Sequence, residues 1–102
     1  MHTYDHFGVI VPKPLEGMVY YPEFKVWTSP YDKTEFRIEF VCFEKGADYH
    51  PLIQTVPHVC FVVKDIHAAI KEHKVLKEPT PFGSIQFAFI ESLGVPIEFF
   101  QL

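Results

Sequence analysis

Residues 56–73, which decide the fold of this 102-residue chain, read VPHVCFVVKDIHAAIKEH. The segment Pro57 to Val63 is rich in β-branched and aromatic residues, which predicts a strand. Asp65 then suits the N-cap of a helix, and Ile66, Ala69 and Ile70 follow at helical spacing. We therefore expect a strand that leads directly into a helix ending at about residue 74.

Three further strands are predicted downstream of this helix. A short strand is expected around residues 75–78, and a loop at residues 79–83 because two prolines do not fit a regular strand ladder. Residues 84–91 and 97–102 read as strands on either side of a turn at residues 92–94. The second half, about residues 56–102, should therefore have the order strand, helix, strand, strand, strand.

The first half, about residues 3–45, is less regular. Strands are predicted at residues 6–11, 18–21, 25–29 and 35–44, and residues 46–55 form a linker to the second half. Only residues 13–17, Lys-Pro-Leu-Glu-Gly, occupy the place of a helix, and they are too few and too rich in proline to form one. We therefore expect a shortened first half that lacks most of its helix.

An internal repeat connects the two halves. Residues 6–11 (HFGVIV) parallel residues 58–63 (HVCFVV), and residues 37–40 (RIEF) parallel residues 96–99 (PIEF). Each half thus opens a strand with a histidine and ends one with Ile-Glu-Phe. Such a repeat predicts two similar sheet modules that pack as a pseudo-symmetric pair.

Composition restricts the partners and the compartment. With a net charge of −4, one arginine and scattered lysines, the chain has no basic stripe for nucleic acid or for an anionic membrane. Its length and its 48% hydrophobic content predict one globular domain over residues 1–102. No apolar run reaches the roughly 20 residues of a membrane span, and no secretory signal is visible, so we expect a cytoplasmic protein. Cys42 and Cys60 lie in strand-like runs and are expected to be buried thiols.

These features resemble the vicinal oxygen chelate superfamily, which includes glyoxalases, bleomycin-resistance proteins and ring-cleaving dioxygenases. The resemblance is carried by VPHVCFVVKDIHAAIKEH, EPTPFG and IEFF in the second half and by YDHFGVIV and RIEFVCFE in the first. It implies an α+β fold of paired βαβββ modules around a U-shaped, barrel-like cleft. The family's common Asp-Pro-Asp-Gly-Asn turn is replaced here by residues 92–96, which retain only the glycine.

The resemblance also implies a metal centre, because these proteins bind metal with residues of the first and last strands of each module. The matching positions are His6, Glu39, His58 and Glu98. Two imidazoles and two carboxylates suit one divalent ion of Zn, Ni, Co, Mn or Fe. A single histidine in a strand is more often hydrogen-bonded than bound to a metal. The glutamates favour a metal site, because each lies between Ile and Phe in a largely buried strand, where an unpaired carboxylate is costly.

The same positions supply the candidate catalytic and substrate-binding residues. Glu39 or Glu98 could leave the metal and act as a base. Side-chain alternation places Arg37 on the face of Glu39 and Cys60 on the face of His58, so both are candidate substrate contacts. Arg37 would hold a substrate carboxylate or phosphate, or else form an ion pair with a nearby glutamate.

The resemblance implies a metal-dependent isomerase, epimerase or lyase that acts on a small oxo- or hydroxy-carbonyl compound through a metal-stabilised enolate. The alternative is a metal-free, antibiotic-like small-molecule binding protein of the same fold, although such relatives usually lack the ligand set. A ring-cleaving dioxygenase would use two histidines and one carboxylate on iron, but those enzymes are usually longer. A homodimer is expected, since the missing helix leaves apolar sheet surface uncovered.

Overall fold

The computed structural model describes residues 2–102, which form eight strands and two short helices. The strands are β1 (Thr3–Ile10), β2 (Val19–Tyr21), β3 (Val26–Thr28), β4 (Ile38–Phe43), β5 (His58–Val62), β6 (Lys74–Phe82), β7 (Ile85–Ser92) and β8 (Val95–Gln101). The helices are α1 (Pro51–Thr55) and α2 (Ile66–Ile70). All eight strands belong to one sheet, in the order β2-β3-β4-β1-β5-β8-β7-β6. The fold class is therefore α+β, as predicted.

The two halves of the sheet have the same strand arrangement, and each runs outward from the centre of the sheet. At the centre, β1 and β5 pair in antiparallel fashion. Strand β1 pairs in parallel with β4, and β5 pairs in parallel with β8. Antiparallel pairs extend each half outward to β2 and to β6. The strands that carry the two repeated histidines and the two repeated glutamates are thus the four central strands.

The sheet is strongly curled. Strands β2 and β6 are its two edges, yet the ring of Tyr21 in β2 lies 5.0 Å, centroid to centroid, from the ring of Phe82 in β6. Phe24, in the turn between β2 and β3, also contacts Phe82 at 5.7 Å. Aromatic pairs bury large apolar areas, so these contacts hold the two edges near one another. The concave face of the sheet consequently encloses a cleft.

The convex face is covered unequally by helices. α2 packs on the second half through a buried cluster of Val63, Ile66, Ala88, Ile90 and Phe99. Burial of a side chain such as Ile66 stabilises the fold by about 1.5–3 kcal/mol. In the first half, residues 11–18 connect β1 to β2 without a helix. The missing helix was predicted from the prolines of this segment, and the prediction is confirmed.

α2 begins as predicted and ends earlier than predicted. The carboxylate of Asp65 accepts hydrogen bonds from two backbone N–H groups of the first turn, which would otherwise lack partners. The helix was expected to continue to about Lys74, but it ends at Ile70. The backbone of Lys71 is extended at that point, and β6 has already begun at Lys74. The predicted helix end is therefore wrong.

β6 also differs from the prediction. Residues 79–83 were expected to form a loop after a short strand, but β6 is continuous from Lys74 to Phe82. The strand tolerates Pro79 and Pro81 because it lies at the edge of the sheet and its pairing with β7 is irregular before Thr80. A proline in an edge strand can direct its missing N–H group away from the ladder. The loop prediction is therefore wrong.

Two further differences lie near the junction of the halves. β4 begins at Ile38 instead of residue 35, because Arg37 has a left-handed backbone with φ of 55° that a strand ladder does not accommodate. The linker at residues 46–55 contains α1, which was not predicted. The ring of His50 caps this helix by accepting a hydrogen bond from the backbone N–H of Leu52.

Two expectations from composition can be compared with the structure. Cys42 and Cys60 are both buried and unpaired, as predicted. Across residues 2–102, neither helix has the length and apolarity that a membrane span requires.

The uncovered convex face of the first half leads to a prediction about assembly. Phe7 on β1 and Phe40 on β4 alternate with cleft-facing residues and remain 38% and 37% exposed. We expect a homodimer that buries this face. Light scattering after size exclusion should give about twice the chain mass of 11.9 kDa. Phe40→Ser should shift the protein to the monomer, whereas Leu93→Ser, at a fully exposed turn, should not. A monomeric parent protein at micromolar concentration would refute this expectation.

Candidate metal centre

Four side chains converge on the concave face at the middle of the sheet. They come from the four central strands and are His6 on β1, Glu39 on β4, His58 on β5 and Glu98 on β8. The parallel pairing of β1 with β4 and of β5 with β8 sets the two histidine strands directly beside the two glutamate strands. The structure thus brings together the four residues predicted as metal ligands.

The Nε2 atom of His6 lies at the centre of this group. It is 3.3 Å from Nε2 of His58, from Oε1 of Glu39 and from Oε1 of Glu98. The Nε2 atom of His58 is 3.1 Å from Oε1 of Glu98. One ligand atom each of His6, Glu39 and His58 lies within 4.8 Å of the others. Nitrogen and carboxylate atoms therefore face one shared point.

The four side chains are shielded from water, and their negative charge must be balanced by a positive charge nearby. His6 is 1% exposed and Glu98 is 7% exposed. Burial by itself would lower the pKa of His6, but hydrogen bonds with Glu39 and Glu98 outweigh it and raise the pKa to about 10. Burial would raise the pKa of Glu98, but hydrogen bonds with His58 and His6 outweigh it and lower the pKa. The buried carboxylate stays ionised, and either a proton on His6 or a divalent cation can balance it.

A fifth residue, Asp5, holds His6 from the other side of its ring. Oδ2 of Asp5 is 2.8 Å from Nδ1 of His6, so that the ring donates its Nδ1–H and keeps Nε2 towards the cluster. The Tyr31 hydroxyl donates to the same carboxylate oxygen at 2.6 Å, and the Arg37 guanidinium lies 3.5 Å from Oδ1. A carboxylate in this position orients a metal-ligating histidine and makes it a better ligand.

Asp5 was missed in the sequence because neighbouring strand residues normally point to opposite faces. In β1 the pairing with β5 is irregular: Tyr4 is opposite Phe61, and His6 is opposite Cys60. Asp5 is therefore the extra residue of a β-bulge, which can direct two successive side chains to one face. The sequence pattern of residues 3–10 does not predict this bulge.

Gly8 makes room for His58. The two residues are direct partners across β1 and β5, and a Cβ atom on Gly8 would lie 2.1 Å from Cε1 of the imidazole. Only glycine lets the ring lie against the β1 backbone. A glycine inside a predicted strand is a known sign of such close approach, so this residue could have been found from the sequence. Unlike His6, His58 has no hydrogen-bond partner for its Nδ1 among the described residues.

The two predicted substrate-binding residues are placed differently. Arg37 lines the cleft, but its guanidinium donates to the backbone oxygen of Asp5 and lies over the Tyr31 ring at 5.0 Å. Its ion-pair partner is thus Asp5, where a glutamate was expected. Cys60 is fully buried and is not among the described residues that line the cleft. Its thiol lies beside Asp5 and His6, and burial raises the pKa of this thiol far above its ordinary value.

The cleft above these four side chains has a volume of about 430 Å³, which suits a small molecule. Most of its wall is apolar and aromatic, and the rings are those of Tyr21, Phe24, Phe43, Tyr49, Phe82, Phe87, Phe89 and Phe100. The four candidate ligands, with Tyr31 and Arg37, supply much of the polar lining. The site therefore combines a charged floor with aromatic walls.

Comparison with known proteins gives a likeness of fold. No family model and no curated protein matches the chain. Among solved structures, the chain is similar to a hypothetical protein from Bacillus halodurans C-125, with a TM-score of 0.73 and 22% sequence identity. The similarity covers 99% of this chain and 94% of that one. At this identity the likeness shows the fold alone.

The contact between Asp5 and His6 leads to a prediction about metal affinity. Asp5→Asn should weaken binding of a divalent ion by about 10–100-fold, because the neutral amide no longer makes the His6 ring a stronger donor. Asp32→Asn, which alters a cleft-lining acid that does not contact His6, should bind metal as the parent protein does. Titration with cobalt(II), followed by visible absorption, measures both. Equal affinities of Asp5→Asn and the parent would show that Asp5 has no such role.

Proposed function

We propose that this protein is a metal-dependent isomerase, epimerase or lyase of the vicinal oxygen chelate superfamily, acting on a small oxo- or hydroxy-carbonyl compound. The observation that carries the proposal is the convergence of His6, Glu39, His58 and Glu98 on the floor of the cleft. In this proposal the two halves of the sheet correspond to paired βαβββ modules, the first of which has lost its helix.

The donor set fits a divalent ion. Two imidazoles and two carboxylates are the mixed nitrogen and oxygen ligands that Zn, Ni, Co, Mn and Fe accept. Asp5 leaves Nε2 of His6 as the nitrogen that faces the other three side chains. Because Glu98 is ionised and buried, a cation at this point also stabilises the folded chain.

The residues of the cleft provide for proton abstraction. A bound divalent ion supplies a Lewis acid that polarises a carbonyl oxygen and makes the adjacent C–H group more acidic. Glu39 and Glu98 both line the cleft and can accept that proton. Glu98 contacts both histidines, whereas Glu39 contacts His6 and is somewhat more exposed, so Glu39 is the carboxylate that moves more freely.

The alternative of a metal-free binding protein is favoured by the aromatic lining of the cleft. Such a protein would need only the apolar walls to hold its ligand. It would have no use for buried carboxylates gathered around a histidine, and those groups are costly to bury without a function. The metal-dependent enzyme therefore accounts for more of the site.

Metal uptake is the experiment that tests the proposal first. The purified protein should carry or take up about one divalent ion per chain by elemental analysis, and binding should raise the melting temperature. His58→Ala should lose most of the affinity, whereas His67→Ala, on the exposed side of α2, should lose none. Gly8→Ala should resemble His58→Ala although it keeps all four ligands, because it displaces the His58 ring.

The affinity for the metal ion should also depend on pH, and the direction of this dependence follows from the pKa of His6. The pKa of His6 is raised to about 10, so His6 must release a proton before it binds an ion at neutral pH. Affinity should therefore increase by about tenfold per pH unit from pH 6 to pH 8. If a folded sample takes up no metal anywhere in this range, the proposed enzyme is wrong and the metal-free binding protein is favoured.

Proton abstraction separates an enzyme from a protein that only stores a metal. The metal-loaded protein should exchange the C–H hydrogens next to the carbonyl group for deuterium in D₂O in at least one of two hydroxy-carbonyl probes, hydroxyacetone and 2-hydroxyacetophenone. At equal metal occupancy, Glu39→Gln should slow this exchange strongly, because the amide cannot accept the proton. No exchange above that of free metal ion would argue against the proposed reaction class.

A further inference from the structure

The aromatic side chains of the cleft form a continuous row that starts at the metal centre. The ring of Phe89 lies 5.3 Å from that of His58 and 6.3 Å from that of Phe87. Phe87 in turn contacts Phe24 at 5.4 Å and Phe82 at 6.4 Å. The row thus leads away from the four predicted ligands towards the place where the two edges of the sheet approach one another.

These rings form a wall as well as a core. Phe87 and Phe89 are almost fully buried, whereas Phe24 and Phe82 are only partly buried, and all four line the cleft. Neighbouring rings are nearly perpendicular, so the wall offers both ring faces and ring edges to a ligand. The nearby ammonium of Lys77 lies over the Phe87 ring, but Lys77 does not line this cleft.

The charged side chains that line the cleft beside this row lie at its Phe89 end, where His58 and Glu98 are found. Among the described lining residues the one arginine or lysine is Arg37, and it is paired with Asp5 beside His6. A charged group lying along the row would lose its hydration without gaining a partner. An uncharged apolar group would instead gain contact with several rings and lose contact with water.

We infer that the substrate carries a planar, uncharged apolar group, most simply an aromatic ring, next to its oxygen-bearing head. The head lies at His6, Glu39, His58 and Glu98, and the planar group lies along Phe89, Phe87, Phe24 and Phe82. The inference rests on the proposed function for the head and on the cleft wall for the planar group. It excludes two- and three-carbon oxo-compounds as the preferred substrates, because they would leave the row uncovered.

Two probes that share one head test the inference. Benzohydroxamate and acetohydroxamate both bind metals through the same two oxygen atoms and differ only in a phenyl or methyl group. The metal-loaded protein should bind benzohydroxamate about 10–100-fold more tightly in calorimetric titrations, as expected for burial of one ring. Equal affinities of the parent protein for the two probes would overturn the inference.

A substitution in the row of aromatic residues tests where the phenyl ring of benzohydroxamate binds. Phe24→Ala removes a partly buried ring in the turn between β2 and β3, away from the metal ligands. It should abolish most of the preference for benzohydroxamate and leave the affinity for acetohydroxamate unchanged. Phe36→Ala, at a 68% exposed position that does not line the cleft, should keep the full preference. A Phe24→Ala protein with the parental preference would also overturn the inference.

A metal-free arm separates this inference from the proposed function. Benzamide and acetamide, observed by ligand NMR with the metal-free protein, probe the wall without the head. If the protein takes up no metal but binds benzamide in a Phe24-dependent way, the proposed enzyme fails and the planar-group inference stands. If it takes up metal but favours neither ring-bearing probe, the metal centre stands and the inference fails.

Discussion

Three carboxylates surround the two ring nitrogens of His6, with Asp5 at Nδ1 and Glu39 and Glu98 at Nε2. The ring is 1% exposed, so these interactions are made largely out of contact with water. Ionised carboxylates brought together in such a place repel one another unless positive charge lies between them. The centre of the sheet is arranged around this requirement, and a proton or a divalent cation can meet it.

The topology of the sheet positions these charged groups. The bulge at Asp5 brings the Asp5 carboxylate to Nδ1 of its neighbour His6 and leaves Nε2 of that ring for residues of the other central strands. Parallel pairing brings Glu39 on β4 beside β1 and Glu98 on β8 beside β5. Gly8 then admits the ring of His58 against the backbone of β1. The outer strands have another role, since their aromatic side chains meet across the open side of the sheet and form the walls of the cleft.

Part of this arrangement could be predicted from the sequence, because the repeat indicates two similar halves and the resemblance to a known superfamily implies that their histidines and glutamates form one site. The strand that opens with His6 and the strand that ends with Glu39 have counterparts at His58 and Glu98, and periodicity is a local property of the chain. The missed features depend on tertiary context. The bulge at Asp5 is set by pairing with β5, and the course of β6 through two prolines is set by its position at the sheet edge. The left-handed backbone at Arg37 likewise could not be predicted, because arginine normally avoids this conformation.

The central claim is that four side chains from the four central strands form one divalent metal site. A crystal structure of the protein grown with cobalt(II) or zinc, with anomalous scattering recorded at the metal edge, tests it most directly. The predicted result is one strong peak within about 2.0–2.2 Å of Nε2 of His6, Nε2 of His58 and a carboxylate oxygen of each glutamate. A peak held instead by Asp5 and Cys60, or no peak while His6 still contacts both glutamates, would contradict the claim.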